Sequence, residues 1–118
     1  MKPMSPRVAA FEAALSEAKH RLAKGDAAAA LQALERAHVL GQTDLGPHLR
    51  AHLRMLHVGF TSSNWREVRG QIMRIALVPI GHLFGRLPRG NTGRSNVSAF
   101  TPMPIPPDVE RLLDNQEK

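Results

Sequence analysis

Glu35, His38, His48 and His52 are the residues of this chain whose types and spacing could hold a metal ion. His48 and His52 form an i,i+4 pair, which places two imidazoles on one helix face within reach of a single ion. His38 falls within the apolar stripe of Leu31 and Leu34, where burial disfavours a charged ring. A ring there needs a hydrogen-bond partner or a metal. Glu35 adds an anionic oxygen, and the resulting three-nitrogen, one-oxygen set suits Zn²⁺ or Fe, with Ni, Co and Cu also compatible. With only three ligands bound, a coordination position stays open, as hydrolytic zinc and non-haem iron sites require. Only in that case would the chain be an enzyme. The plainer alternative is a pair of packed helices whose histidines hydrogen-bond backbone carbonyls or Glu35.

Two helices must bring these side chains together. Gly41 can stop the first, and Gly46-Pro47 can restart the chain, with Pro47 at the first helical position. In an antiparallel hairpin, residues equally far from the turn face one another. His38 then lies opposite His48, and Glu35 lies opposite His52 about one turn further out, at 3.6 residues per turn.

The remaining elements follow from periodicity and caps. Ser5-Pro6 reads as a helix start, and Val8, Phe11, Leu15, Ala18 and Leu22 form an apolar stripe after it. Gly25 ends that helix, and Asp26 caps a second over 27–40. A third, over 47–60, has a core stripe of Leu49, Leu53, Leu56 and Phe60. His48, His52, Met55 and Gly59 form a second stripe beside it, with Met55 read as core. Arg50, Arg54 and His57 lie on the solvated face. Asn64 and Glu67 have the spacing of a capping box opening a fourth helix, with Val68, Ile72 and Ile75 inward. Pro79 must kink or end it.

Beyond residue 86 the texture changes to Gly, Asn, Ser and Pro. Pro102, Pro104, Pro106 and Pro107 favour an extended path, and Val97, Phe100, Met103 and Ile105 suggest a strap lying against the helices. The expected fold is all-α and a single domain. Its helical part, 5–86, is two antiparallel helical hairpins forming a tetratricopeptide-like four-helix unit. An extended Pro-rich strap, 87–107, and a short terminal helix, 108–114, follow. Lys24-Gly25-Asp26 and Ser63-Asn64-Trp65 begin similar patterns about 38 residues apart, near the tetratricopeptide period of about 34. Two hairpins bury too little by themselves, so the strap or a dimer partner is expected to supply the remainder.

A second candidate site lies in the loop of Arg86, Arg89, Gly90, Asn91, Gly93 and Arg94. Its glycines and asparagines permit positive φ, so consecutive N–H groups could form an anion-binding nest ringed by arginines. It lacks the Lys-Ser/Thr ending of a P-loop, and a structural turn pinned by side chains is the alternative reading. His20, His57 and His82 read as surface residues, and no Ser/His/Asp triad can be assembled.

The chain has no cysteine, which excludes disulfides, thiolate metal sites and thiol catalysis. Aromatic residues are 4%, so the core must come mainly from Leu, Val, Ile and Ala. Sixteen Lys and Arg against 10 Asp and Glu give a net charge of +6, but the arginines are spread without a dense block. A basic protein of this pattern is not expected to bind nucleic acid. No apolar run is long enough to cross a membrane, and the first seven residues carry none that a secretory signal needs. A cytoplasmic location is the expectation. Function narrows to two classes: a small metal-binding protein, or a helical interaction module with structural histidines and a protein partner or homo-oligomer.

Arg89-Gly90-Asn91-Thr92-Gly93, Asn96-Val97-Ser98-Ala99-Phe100 and Pro102-Met103-Pro104-Ile105-Pro106 together resemble the tail signature of a family of small uncharacterised bacterial proteins. Leu34 to Gln42 and His48-Leu49-Arg50-Ala51-His52 are similar to the helical part of that family, a domain of unknown function. The resemblance spans most of residues 9–113 and implies no activity.

Overall fold

A computed structural model describes residues 3–115 of the chain. Met1 and Lys2, the start of the segment read for a secretory signal, lie outside the described residues. Among those described there are five helices and no strand: α1 (Pro6–Ala23), α2 (Ala27–Gly41), α3 (Leu45–Thr61), α4 (Trp65–Phe84) and α5 (Pro107–Asn115). Three helix starts are capped as the sequence suggests. Ser5, Asp26 and Asn64 accept hydrogen bonds from the N–H groups of Val8, Ala29 and Glu67. Each cap satisfies an N–H that has no partner within its helix and contributes about 1 kcal/mol.

Consecutive helices pack on one another, α1 on α2, α2 on α3 and α3 on α4, while α5 returns against α1 and α2. The core is built from Phe11, Leu15, Leu31, Leu34, Leu40, Met55, Val58 and Val109. Burying a side chain of this size stabilises the fold by about 1.5–3 kcal/mol. The apolar core therefore fills the space between α1, α2, α3 and α5. Polar residues occupy the other side of α2 and α3, where α4 and the loop after it close over them.

Several expectations need correction. α3 begins at Leu45, so Pro47 is the third helical residue and the turn shrinks to residues 42–44. Pro47 is tolerated there because N–H groups in a first turn have no intrahelical acceptor. Asp44 makes no side-chain cap; its carboxylate pairs with Arg7 at 2.8 Å. The inward face of α3 is also rotated. Leu53 and Phe60 of the expected core stripe are 47% and 54% exposed, whereas His48, His52 and Met55 are buried. Small residues decide this: a Cβ added to Gly59 would stand 3.1 Å from Val68 Cγ2, so α4 closes on the glycine face.

α4 runs through Pro79 to Phe84 without ending, and the proline is exposed. The turn beyond it carries His82. Ile72, expected inside, is 55% exposed. In the strap, Val97, Met103 and Ile105 are partly buried, but Phe100 is 75% exposed.

Substitution separates the two stripes of α3. Met55→Ala should cost about 2–5 kcal/mol and Leu53→Ala within about 0.5 kcal/mol, read from urea unfolding midpoints. Equal losses would mean that α3 is turned otherwise.

Candidate metal centre

His38 comes from α2, and His48 and His52 from successive turns of α3. Their Nε2 atoms form a triangle: 3.0 Å between His38 and His48, 3.1 Å between His38 and His52, and 3.2 Å between His48 and His52. All three side chains are buried. These ring nitrogens are the group of potential ligand atoms that the structure brings together among the described residues.

Each ring uses its other nitrogen outward. His38 Nδ1 donates to the backbone carbonyl of Asn91 at 2.7 Å. His52 Nδ1 lies 2.7 Å from Gln71 Oε1. The orientation of that amide is settled by its NH₂ group, which donates to Glu67 Oε2 at 2.6 Å and to the Gly93 carbonyl at 2.8 Å. Gln71 Oε1 is therefore the acceptor, and His52 carries its proton on Nδ1. His48 Nδ1 shares a proton with His82 Nε2 across 2.9 Å.

This arrangement has a strict consequence. Neutral His38 and His52 both turn an Nε2 lone pair inward, and the two face each other at 3.1 Å with no proton between them. If His82 accepts from His48, all three lone pairs converge. A cation at the centre would convert mutual repulsion into three bonds.

Electrostatics keeps the rings neutral. Burial pushes His38 well below the ordinary 6.5, and the neighbouring His52 and His48 add to it. Burial lowers His48 to about 3, with His52 and His82 contributing. His52 falls to about 4, again through burial first, with the Gln71 hydrogen bond opposing. Neutral imidazole is the form that binds metal.

Around the rings lies a second layer drawn from α4 and from residues 88–95. Burial would raise the Glu67 carboxyl, but hydrogen bonds from Gln71, Arg94 and Ser95 outweigh it and hold it below its usual value. Arg94 donates from Nε to Glu67 and from Nη1 to Glu35, both at 2.9 Å. Asn91 donates to the Ser98 and Thr101 carbonyls and accepts the Gly93 N–H. Gln42, one turn after His38, clamps the same loop by accepting from the Gly90 N–H and donating to the Pro88 carbonyl. Gly93, at φ +80°, lies directly on the His38 ring: an added Cβ would be 2.5 Å from Cδ2 and 2.8 Å from Nε2.

The four expected ligands are thus split. His38, His48 and His52 meet, whereas Glu35 points to Arg94, because the loop that brings Gly93 onto His38 also delivers a guanidinium to the carboxylate beside it. The loop itself is turned inward. Its Gly90, Asn91, Gly93 and Arg94 N–H groups bond Gln42, Pro88, Asn91 and Thr92, Arg94 is held by two carboxylates, and Arg89 pairs with Glu110. Arg86 is exposed. No open nest for an anion is formed there among the described residues. Unanticipated contributors are Gln71, Arg74, Gln42, Glu67 in its buried role, and His82, which touches His48 and is not a bystander. Glu67, Gln71, Arg74 and His82 fall at helical spacing on α4, a polar stripe interrupted by Val78 that a search for apolar periodicity passes over.

The fold and the site define an all-helical protein with a buried three-histidine cluster. A family profile described as "Protein of unknown function (DUF3703)" matches residues 6–113, and the chain belongs to that family. No curated protein and no solved structure matches it.

The depressed histidines link stability to pH with a definite sign. In the unfolded chain they take up protons below about 6.5, and in the folded chain only far lower, so metal-free protein loses stability as pH falls. Between about pH 7 and pH 5 each such histidine should remove about 2 kcal/mol. Urea midpoints of chelator-treated protein should drop steeply across that window, and a flat profile would contradict buried neutral rings.

Proposed function

We propose that this is a small metal-binding protein, with His38, His48 and His52 holding one divalent transition-metal ion through Nε2. The observation that carries the reading is the Nε2 triangle, with each opposite Nδ1 engaged outward. Zinc–imidazole bonds of about 2.0–2.1 Å put the nitrogens of a tetrahedral ion about 3.3 Å apart. The triangle is within a few tenths of an ångström of that spacing. Zn²⁺ and Fe are favoured by an all-imidazole set, with Ni, Co and Cu as alternatives that it also accommodates.

Outer acceptors of the kind seen on His38 and His52 fix the tautomer and orient ligand rings. Three protein ligands leave a fourth position, the pattern of catalytic sites as opposed to closed structural ones. A cavity of about 270 Å³ adjoins the three histidines and gives that position room. The packing of consecutive helices through short turns supports two antiparallel hairpins, α1–α2 and α3–α4, as the frame that brings the ligands together.

A second reading, an interaction module, is favoured by one observation. Ile72, Met73, Ile80, Leu83 and Phe84 of α4 are all exposed, an apolar surface of the sort that partners or a second copy cover.

Metal analysis of untagged protein prepared without chelator distinguishes the two. The metal reading expects about one ion per chain, and Gln71→Ala should weaken zinc binding about 10–100-fold while leaving the helical signal intact. Protein that arrives metal-free and takes up no Zn²⁺, Co²⁺ or Ni²⁺ would leave the interaction module standing.

A further inference from the structure

The cavity beside the histidines holds a positive charge that nothing in it balances. Arg74 is 6% exposed and lines the cavity. It donates from Nη1 to the Gly70 carbonyl and from Nη2 to the Val97 carbonyl, and its Nε has no partner among the described residues. It forms no ion pair among those residues. Glu67, whose charge it feels, is itself bonded to Arg94. The guanidinium bonds only neutral carbonyls, so Glu67 offsets its lost hydration from a distance and no carboxylate meets it directly. Arg86 also lines the cavity, and no Asp or Glu does. A divalent ion on three neutral imidazoles would add two more positive charges.

The remaining wall is apolar. Leu77, Val78, Ile80, Phe84, Ala99 and Phe100 contribute to it, and Ile80, Phe84 and Phe100 are more than half exposed. At about 270 Å³ the space exceeds the cavity of about 150 Å³ that accepts benzene in another protein, so a ring or short chain with a polar end fits.

We infer that the cavity binds a small apolar monocarboxylate, its carboxylate between the metal ion and Arg74 and its hydrocarbon body against Leu77, Ile80 and Phe84. This rests on the metal reading above. A neutral amide of the same shape would leave the charge unbalanced. An inorganic oxyanion would balance it but leave the apolar wall uncovered. An amine would meet only positive groups.

The test uses the full chain loaded with Co²⁺, whose visible absorption reports changes in coordination. Benzoate, acetate, benzamide and benzylamine are titrated in turn. Benzoate should change the spectrum at a concentration at least about tenfold lower than acetate, because the ring adds apolar contact. Benzamide and benzylamine should leave it unchanged over the benzoate range. Arg74→Met should weaken benzoate at least about tenfold while Co²⁺ uptake persists, since a charged partner is lost. Arg74 also anchors the strap, so a second variant guards against misfolding. Phe84→Ala with Ile80→Ala, both exposed, should narrow the gap between benzoate and acetate. Co²⁺ uptake with a spectrum indifferent to benzoate, or equal response to benzoate and acetate, overturns the carboxylate inference and leaves the metal site intact. Failure to take up Co²⁺ removes both.

Discussion

Two hydrogen bonds determine how the rest of this structure must be arranged: His38 Nδ1 to the Asn91 carbonyl, and His52 Nδ1 to Gln71 Oε1. Each fixes its imidazole in one tautomer and turns a lone pair toward the other ring. Burial then prevents protonation from relieving the contact, because a charged ring in this interior would be unsolvated. Inward-facing acceptors held neutral at close range are an arrangement that a cation would relieve. Polar groups of α4 and of the loop after it hold the two acceptors in place.

The supports run outward in sequence. Gln71 is oriented by Glu67, Glu67 is charged because Arg94 and Ser95 meet it, and Arg94 is held in turn by Glu35. Asn91 is fixed by the Ser98 and Thr101 carbonyls, and Gln42 ties the start of the same loop to the end of α2. Removing one member of such a chain leaves a buried polar group unsatisfied, at a cost of about 1–3 kcal/mol, and more when that group is charged. The glycines have steric reasons. Gly93 rests against the His38 ring, and a Cβ on Gly90 would collide with the Met103 carbonyl. The loop that looked like an anion cradle is the outer wall of the histidine cluster.

Local signals carried much of this into the sequence. Ser5-Pro6, Asp26 and Asn64 mark helix starts because each supplies an oxygen to an N–H within its own turn. The histidine triangle was legible because the packing of α2 on α3 across a short turn is nearly local too: His38 and His48 are 10 residues apart. What escaped depends on distant partners. Glu35 was assigned to the ion because nothing nearby announces Arg94, 59 residues on. Likewise Asn91 lies 53 residues from the ring it orients. The face of α3 was misjudged because hydrophobicity favours the leucine stripe. Close approach at Gly59 and waiting acceptors on α4 favour the histidine stripe, and those belong to the assembled fold.

The most direct measurement is a long-range ¹⁵N–¹H correlation of the histidine side chains near neutral pH, in chelator-treated protein and after one equivalent of Zn²⁺. The structure predicts that His38 and His52 already carry their proton on Nδ1 before zinc is added. It further predicts that zinc shifts the Nε2 resonances of His38, His48 and His52 together, leaving Nδ1 of His38 and His52 protonated. Rings that are protonated on Nε2, or doubly protonated, in the metal-free protein would contradict the account at its centre.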